Sequence, residues 1–428
     1  MPNIKPPKPV LIVGGGEFGS TTALELAKTT YKGQAHLITV LDRSATPPAT
    51  DAASYDFNKI IRQEYSDPLY ARLAHDAMDL WRQDWKEYYH ECGVVVSVSS
   101  NTPQAKSGYI ARALAANAAP GMQTPGLGAK VLHGLKEVEG FYPDIELGDF
   151  AGQDVYINHA GGWANARGAT EAAVARARAL GVKFVGGTAS SLIKEGNRVV
   201  GVETDRGSYR ADIVILTMGS WTPTLLPELS STCLPTGQVV GVIELSEYEA
   251  ARYRDAPVTR LIDNGFYVFP PALTASGWVM KFAIHQKGFL NPQPGYPSLP
   301  RTQLSRGYEF QQIPVAARQQ LRKGLSRVYP EMAKKEWKAS RLCWYSDRPT
   351  GDFLLDWHPV LEGLFVAAGC CGHAFKFLPI MGRLITDAME GKLSEELREI
   401  WSWNGKQGRR DESRDFSEYH RLDQESRL

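Results

Sequence analysis

Between Arg341 and Pro379 the sequence R-L-C-W-Y-S-D-R-P-T-G-D-F-L-L-D-W-H-P-V-L-E-G-L-F-V-A-A-G-C-C-G-H-A-F-K-F-L-P concentrates residues able to do chemistry. It holds Cys343 beside two aromatics, an adjacent pair Cys370-Cys371, and a lone Lys376 in a Gly-His-x-Phe-Lys turn. Near the other end, Gly14-Gly15-Gly16-Glu17-Phe18-Gly19 has the G-x-G-x-x-G spacing that lets backbone approach a pyrophosphate. Asp42, 23 residues after Gly19, is suited to accept hydrogen bonds from ribose hydroxyls. Two cationic pairs complete the set: Lys59 with Arg62, and Lys281 with His285.

The elements that must position these residues follow from local pattern. Val10-Leu11-Ile12-Val13 is a β-branched strand, and an alanine- and leucine-rich helix runs from Ser20 to about Thr29, so the glycines sit in the strand–turn–helix context that phosphate binding needs. Gly14 serves the tight turn, Gly16 the close approach of a phosphate, and Gly19 the packing of helix on strand. Leu37 to Leu41 is a second strand ending at Asp42. If Asn58 to Arg62 is helical, Lys59 and Arg62 share a face and by themselves read as a solvated pair. In Gly277 to His285 the alternation puts Lys281, Ala283 and His285 on one face, which a solvent-facing edge strand would also explain. Arg198 to Thr204 and Ser208 to Arg210 form a hairpin, and Ile213 to Gly219 repeats the pattern of an apolar strand ending in glycine.

Nucleotide-binding elements therefore interleave with other material. The expected fold is α/β plus α+β: a discontinuous Rossmann-like domain (1–92, 151–221 and 341–404), a mixed-sheet substrate domain (93–150 and 222–340), and a charged, solvated tail from 405 to 428. A formal net charge of +1 gives no reason to expect nucleic acid as a partner. Five cysteines in 428 residues do not make a disulfide framework. No run of about 18 apolar residues predicts a membrane span, and the N-terminus lacks the apolar core of a secretory signal. No metal site is expected. Ser426-Arg427-Leu428 is a variant of the peroxisomal S-K-L address; without it the expectation is cytoplasmic.

Together these pieces resemble the D-amino-acid-oxidase-like flavoproteins, within them the monomeric sarcosine, pipecolate, saccharopine and fructosyl amino acid oxidases. The resemblance runs from about Pro9 to about Gly391. It rests on the glycine turn, N-K-I-I-R (58–62), M-G-S-W (218–221), K-F-A-I-H (281–285), C-W-Y (343–345) and D-W-H-P…G-H-A-F-K-F (356–377). It implies one covalent FAD per chain, attached through Cys343, with Cys370-Cys371 as rival positions. Gly14, Gly16, Glu17, Phe18, Gly19, Asp42, Arg43, Lys59, Gly219, Gly372, His373 and Lys376 would contact the cofactor. Arg62 and Lys376 would clamp a substrate carboxylate, Tyr345 would line the pocket, His285 would face the substrate, and Lys281 would activate oxygen.

The function implied is an oxidase of secondary amines derived from amino acids. It would turn the C–N bond into an imine, reduce O2 to hydrogen peroxide, and work as a monomer with an import receptor as its protein partner. A fructosyl amino acid oxidase is the alternative within the group; an NAD-dependent dehydrogenase or an inactive flavoprotein module are the alternatives outside it.

Overall fold

The computed structural model describes residues 8–122, 127–305, 313–405, 414 and 417–424. Its first sheet has six strands in the order Leu354–Trp357, Leu364–Ala368, Ile213–Leu216, Val10–Val13, Ile38–Asp42, Lys183–Gly186. All neighbours are parallel except the first pair. Strand periodicity explains why Val10–Val13 is apolar throughout. Val10 and Ile12 pack among helices Glu17–Lys28, Ala166–Ala179 and Leu378–Met389, while Leu11 and Val13 face a second cluster with Val199, Val202 and Leu226.

A second sheet of eleven strands carries the other half of the chemistry. In it Leu234–Glu244 pairs antiparallel with both Gly277–Ile284 and Trp337–Asp347. The Lys281 strand is bonded on its other side to Phe266–Val268, so it lies inside the sheet and not at a solvent-facing edge. Asp154–Asn158 and the Cys343 strand also belong to this sheet, so sheet membership cuts across the boundaries drawn at 151 and 341.

Two other expectations change. Asn58 to Arg62 is not helical: Lys59–Ile61 is a strand paired with Gly162–Ala164, which suits two successive isoleucines. The described part of the C-terminal tail is not wholly solvated: residues 418–421 are exposed, yet the segment is anchored at two buried points. His420–Arg421 adds to Phe289–Leu290, Leu422 is buried, and Arg414 is buried against Asp347. Ser426-Arg427-Leu428 lies outside the described residues. Among the described residues no helix is long and apolar enough to cross a membrane, and no cluster has the makings of a metal site.

Candidate active site

The glycine turn forms because strand Val10–Val13 must reverse into its helix within three residues. Gly14 has φ of +107°, and a Cβ there would lie 2.6 Å from the Thr217 carbonyl oxygen; a Cβ on Gly19 would lie 1.8 Å from the Gly14 oxygen. The following helix has Gly16 as its N-cap, which has no side chain to cap it; Ser54 Oγ accepts from Glu17 N (3.0 Å), and the next N–H groups are left for an anion. Asp42 accepts from Gly15 N (2.7 Å) and Ser44 N (2.8 Å), which ties the second strand to the turn. Arg43 pairs with Asp51 at 2.7 Å and lies over Trp221.

A cavity of about 720 Å³ runs from this turn to the second sheet. Gly14, Gly16, Glu17, Phe18, Asp42, Arg43 and Gly219 line one part; Lys59, Arg62, Lys281, His285, Tyr345, Gly372, His373 and Lys376 line the rest. Gly19 stays behind the wall, as its packing role requires. The Glu17 carboxyl is buried and its Oε1 has no hydrogen-bond partner; burial pushes its pKa up to about 8 against the pull of Lys59 and Lys376. A glycine-turn helix start, an orphaned polar atom and an extended cavity fit a dinucleotide cofactor such as FAD.

Arg62 and Lys376 come from segments 314 positions apart and meet at one ring. The Arg62 guanidinium lies 5.2 Å from the Tyr65 centroid and Lys376 Nζ 5.0 Å from it. Lys376 donates to the Tyr65 hydroxyl (2.8 Å) and the His373 carbonyl (2.9 Å). The Tyr65 hydroxyl in turn bonds His373 Nδ1 (2.9 Å), and His373 Nε2 bonds the Gly351 carbonyl (2.9 Å). Because a carbonyl only accepts, the network assigns the proton to Nε2 and leaves Nδ1 to accept from Tyr65. Arg62 also donates through Nη1 to the Glu64 carbonyl.

Lys281 is buried in a second network centred on Asp56. Asp56 Oδ2 lies 2.8 Å from Lys281, 3.0 Å from Lys59 and 3.2 Å from Arg341, and Lys281 also donates to the Asn58 carbonyl at 2.5 Å. Burial would raise the Asp56 pKa, but Lys281, Lys59 and Arg341 outweigh it and hold the carboxyl well below the usual range. Burial, more than Lys59, draws Lys281 down to about 8, although Asp56 acts the other way. Lys59 Nζ lies 3.7 Å from Cys343 Sγ; Cys343 is buried one contact behind the cavity wall, whereas Cys370 reaches the wall itself.

Tyr345, beside Cys343 on its strand, has its ring 5.9 Å from that of His285. Gly372, with φ of +69°, makes room for it: a Cβ there would lie 2.1 Å from the Tyr345 ring.

The structure thus brings Arg62, Lys281, His285, Tyr345 and Lys376 to one cavity. Reading the sequence for site residues missed Asp56 and Tyr65, although Asp56 stands three residues before Lys59 and Tyr65 three after Arg62. It also missed Arg260, a cation in the apolar strand Val258–Leu261 whose signal is the same as that of Lys281. Arg414 carried no signal, because a charged tail gives no hint of a buried partner.

A profile of the family described as FAD dependent oxidoreductase matches residues 9–388. L-saccharopine oxidase of Schizosaccharomyces pombe is 30% identical over 92% of either chain. Monomeric sarcosine oxidase of a Bacillus species is 26% identical over 92% of this chain and 96% of that one. Among solved structures, a modified fructosyl peptide oxidase from Aspergillus nidulans superposes with a TM-score of 0.85 at 27% identity, covering 98% of each chain. The fructosamine oxidase Amadoriase II from Aspergillus fumigatus gives 0.81 at 28%, covering 98% of this chain and 96% of that one.

Proposed function

The chain belongs to the FAD-dependent oxidoreductase family, and from that premise we propose that it oxidises secondary amines derived from amino acids. FAD, when bound, would supply the acceptor for the hydride lost from the carbon beside the amine, whose nitrogen gives up a proton. The amine becomes an imine that water hydrolyses, and O2 takes up two electrons and two protons as hydrogen peroxide. The convergence of Arg62 and Lys376 on Tyr65 carries this reading. Two fixed cations in one cavity suit a carboxylate, with Arg62 offering a fork and Lys376 a point charge. Lys281, dry and held by Asp56, is suited to stabilise negative charge developing on oxygen. His285 and Tyr345 border the space left for the amine and its substituent.

Cys343 is the proposed attachment point for the flavin, with Lys59 Nζ 3.7 Å from its sulfur. Acid precipitation should leave yellow colour on the wild-type protein and release it from Cys343→Ala; colour that stays bound would shift the link to Cys370 or Cys371. The resemblance of the last three residues to a peroxisomal address supports import by a receptor, consistent with a peroxide producer.

A peroxide-coupled screen of sarcosine, pipecolate, proline, saccharopine and fructosyl amino acids tests the function. Peroxide from none of them would overturn it. The likeness to fructosyl peptide and fructosamine oxidases favours a second reading, oxidation of fructosyl amino acids, which the same screen separates.

A further inference from the structure

We infer that the substrate is a secondary amine carrying at least two carboxylates, and that Arg260 receives the second. This deepens the proposed function and rests on it.

Arg260 is buried to 8% exposure on strand Val258–Leu261. Burying a guanidinium costs several kcal/mol unless it is paired, yet the Arg260 side chain has no hydrogen bond or ion pair to any described residue. Its nitrogens are not sealed inside protein either: Arg260 is absent from the fully enclosed, unpartnered polar atoms and lines the main cavity. An unpaired buried cation therefore points into the space where the substrate must bind.

Its surroundings define what that cation lacks. Arg260 lies within electrostatic reach of Arg62, Tyr109, Tyr156 and Glu64. Arg62 is already engaged by the Glu64 carbonyl and the Tyr65 ring, and Lys376 by Tyr65 and His373. The Glu64 side chain is fully buried with both oxygens unpartnered, so it pairs with neither arginine. One carboxyl against two guanidinium groups leaves positive charge in surplus even before Lys376 is counted. Burial first, and then Arg62, disfavour the charge on Arg260, a penalty that an incoming carboxylate would remove.

The first carboxylate belongs to the clamp formed by Arg62 and Lys376. The second has two chemical sources: the N-substituent, as in an N-(carboxyalkyl) amino acid, or the side chain of an N-methyl acidic amino acid. A neutral N-methyl or sugar substituent would leave Arg260 unpaired.

The test compares kcat/KM for N-methylglycine, N-(3-carboxypropyl)glycine and N-methylglutamate in wild type, Arg260→Met and Arg260→Lys. Flavin content and far-UV circular dichroism serve as folding controls. Wild type should prefer one dicarboxylic amine over N-methylglycine at least tenfold, and the preferred compound identifies the source. Arg260→Met should collapse that ratio at least tenfold, mainly through KM, and Arg260→Lys should restore part of it. An unchanged ratio in Arg260→Met, or a wild-type preference for N-methylglycine, overturns the inference. Peroxide from no secondary amine would instead indict the proposed function. In that event, titration of the flavin absorbance with glutarate and acetate still decides about Arg260: selective weakening of glutarate by Arg260→Met supports the site, and equal weakening refutes it.

Discussion

Asp56 is one carboxylate serving three cations, and its loss would leave them to repel one another at the centre of the site. Breaking a buried pair of this kind typically costs about 3–5 kcal/mol. Lys281 itself can be removed with less disruption, and Lys281→Met should slow reoxidation by O2 by roughly a hundredfold or more. Stopped-flow traces should show flavin reduction much less affected; equal slowing of both half-reactions would refute the oxygen role. The sign of the pH dependence follows from the lowered pKa. The ammonium is present below about 8 and lost above it, so reoxidation should fall as pH rises through that value. Lys281→Met should abolish that limb of the profile.

Glu17 acts on stability, and its pKa is shifted in the opposite direction. Its pKa rises from 4.5 to about 8 on folding, so the folded apoprotein holds a proton that the unfolded chain releases. Stability should be highest below about pH 4.5 with respect to this group, decline to about pH 8, and level off above. At about 1.4 kcal/mol per unit the upper bound is a few kcal/mol. Thermal melts of apoprotein Glu17→Gln across this range should show a flatter profile than wild type; parallel profiles would mean that Glu17 folds ionised.

At the scale of elements, the turn that carries Lys376 is shaped around the strand that carries Cys343. Gly372→Ala would put a side chain at positive φ, costing about 1–3 kcal/mol, and would also drive it into the Tyr345 ring. The expected outcome is a lower melting temperature and reduced turnover, with carboxylate binding through Lys376 disturbed as well; unchanged kinetics would show that the ring shifts freely.

Legibility in the sequence divides at the same scale. The strand, glycine turn and helix around Gly14 to Gly19 could be read because their constraints lie within twenty residues. Lys59 and Arg62 were placed on the wrong kind of element because the partner of their strand, Gly162–Ala164, lies about a hundred positions away. Lys281 could not be told from an edge residue, since its burial is imposed by Leu234–Glu244 and Phe266–Val268. The tail read as solvated because Arg414 finds its anion, Asp347, only in the folded chain, at 2.6 and 2.8 Å.

The whole molecule is organised by a cavity that neither sheet closes alone. The first sheet brings the glycine turn and Asp42, the second brings Lys281, Tyr345 and Arg260, and the loops after Asp42 and Ala368 bridge them. A ligand filling that space touches both sheets and so should stabilise the chain as a unit. A flavin linked through Cys343, as proposed above, could not be titrated, but Cys343→Ala should make the binding reversible. Its apoprotein should then melt at a temperature that climbs with added FAD. Free ligand at a hundred times Kd stabilises by about 2.7 kcal/mol, which for a chain of this size is a shift of a few degrees. NAD should give no shift, because the part of the cavity beyond the glycine turn is lined by Arg62, Lys281 and Lys376, the groups proposed above to meet a carboxylate and oxygen. Equal shifts with both dinucleotides would show that only the turn is being recognised, and would remove the second sheet from the cofactor site.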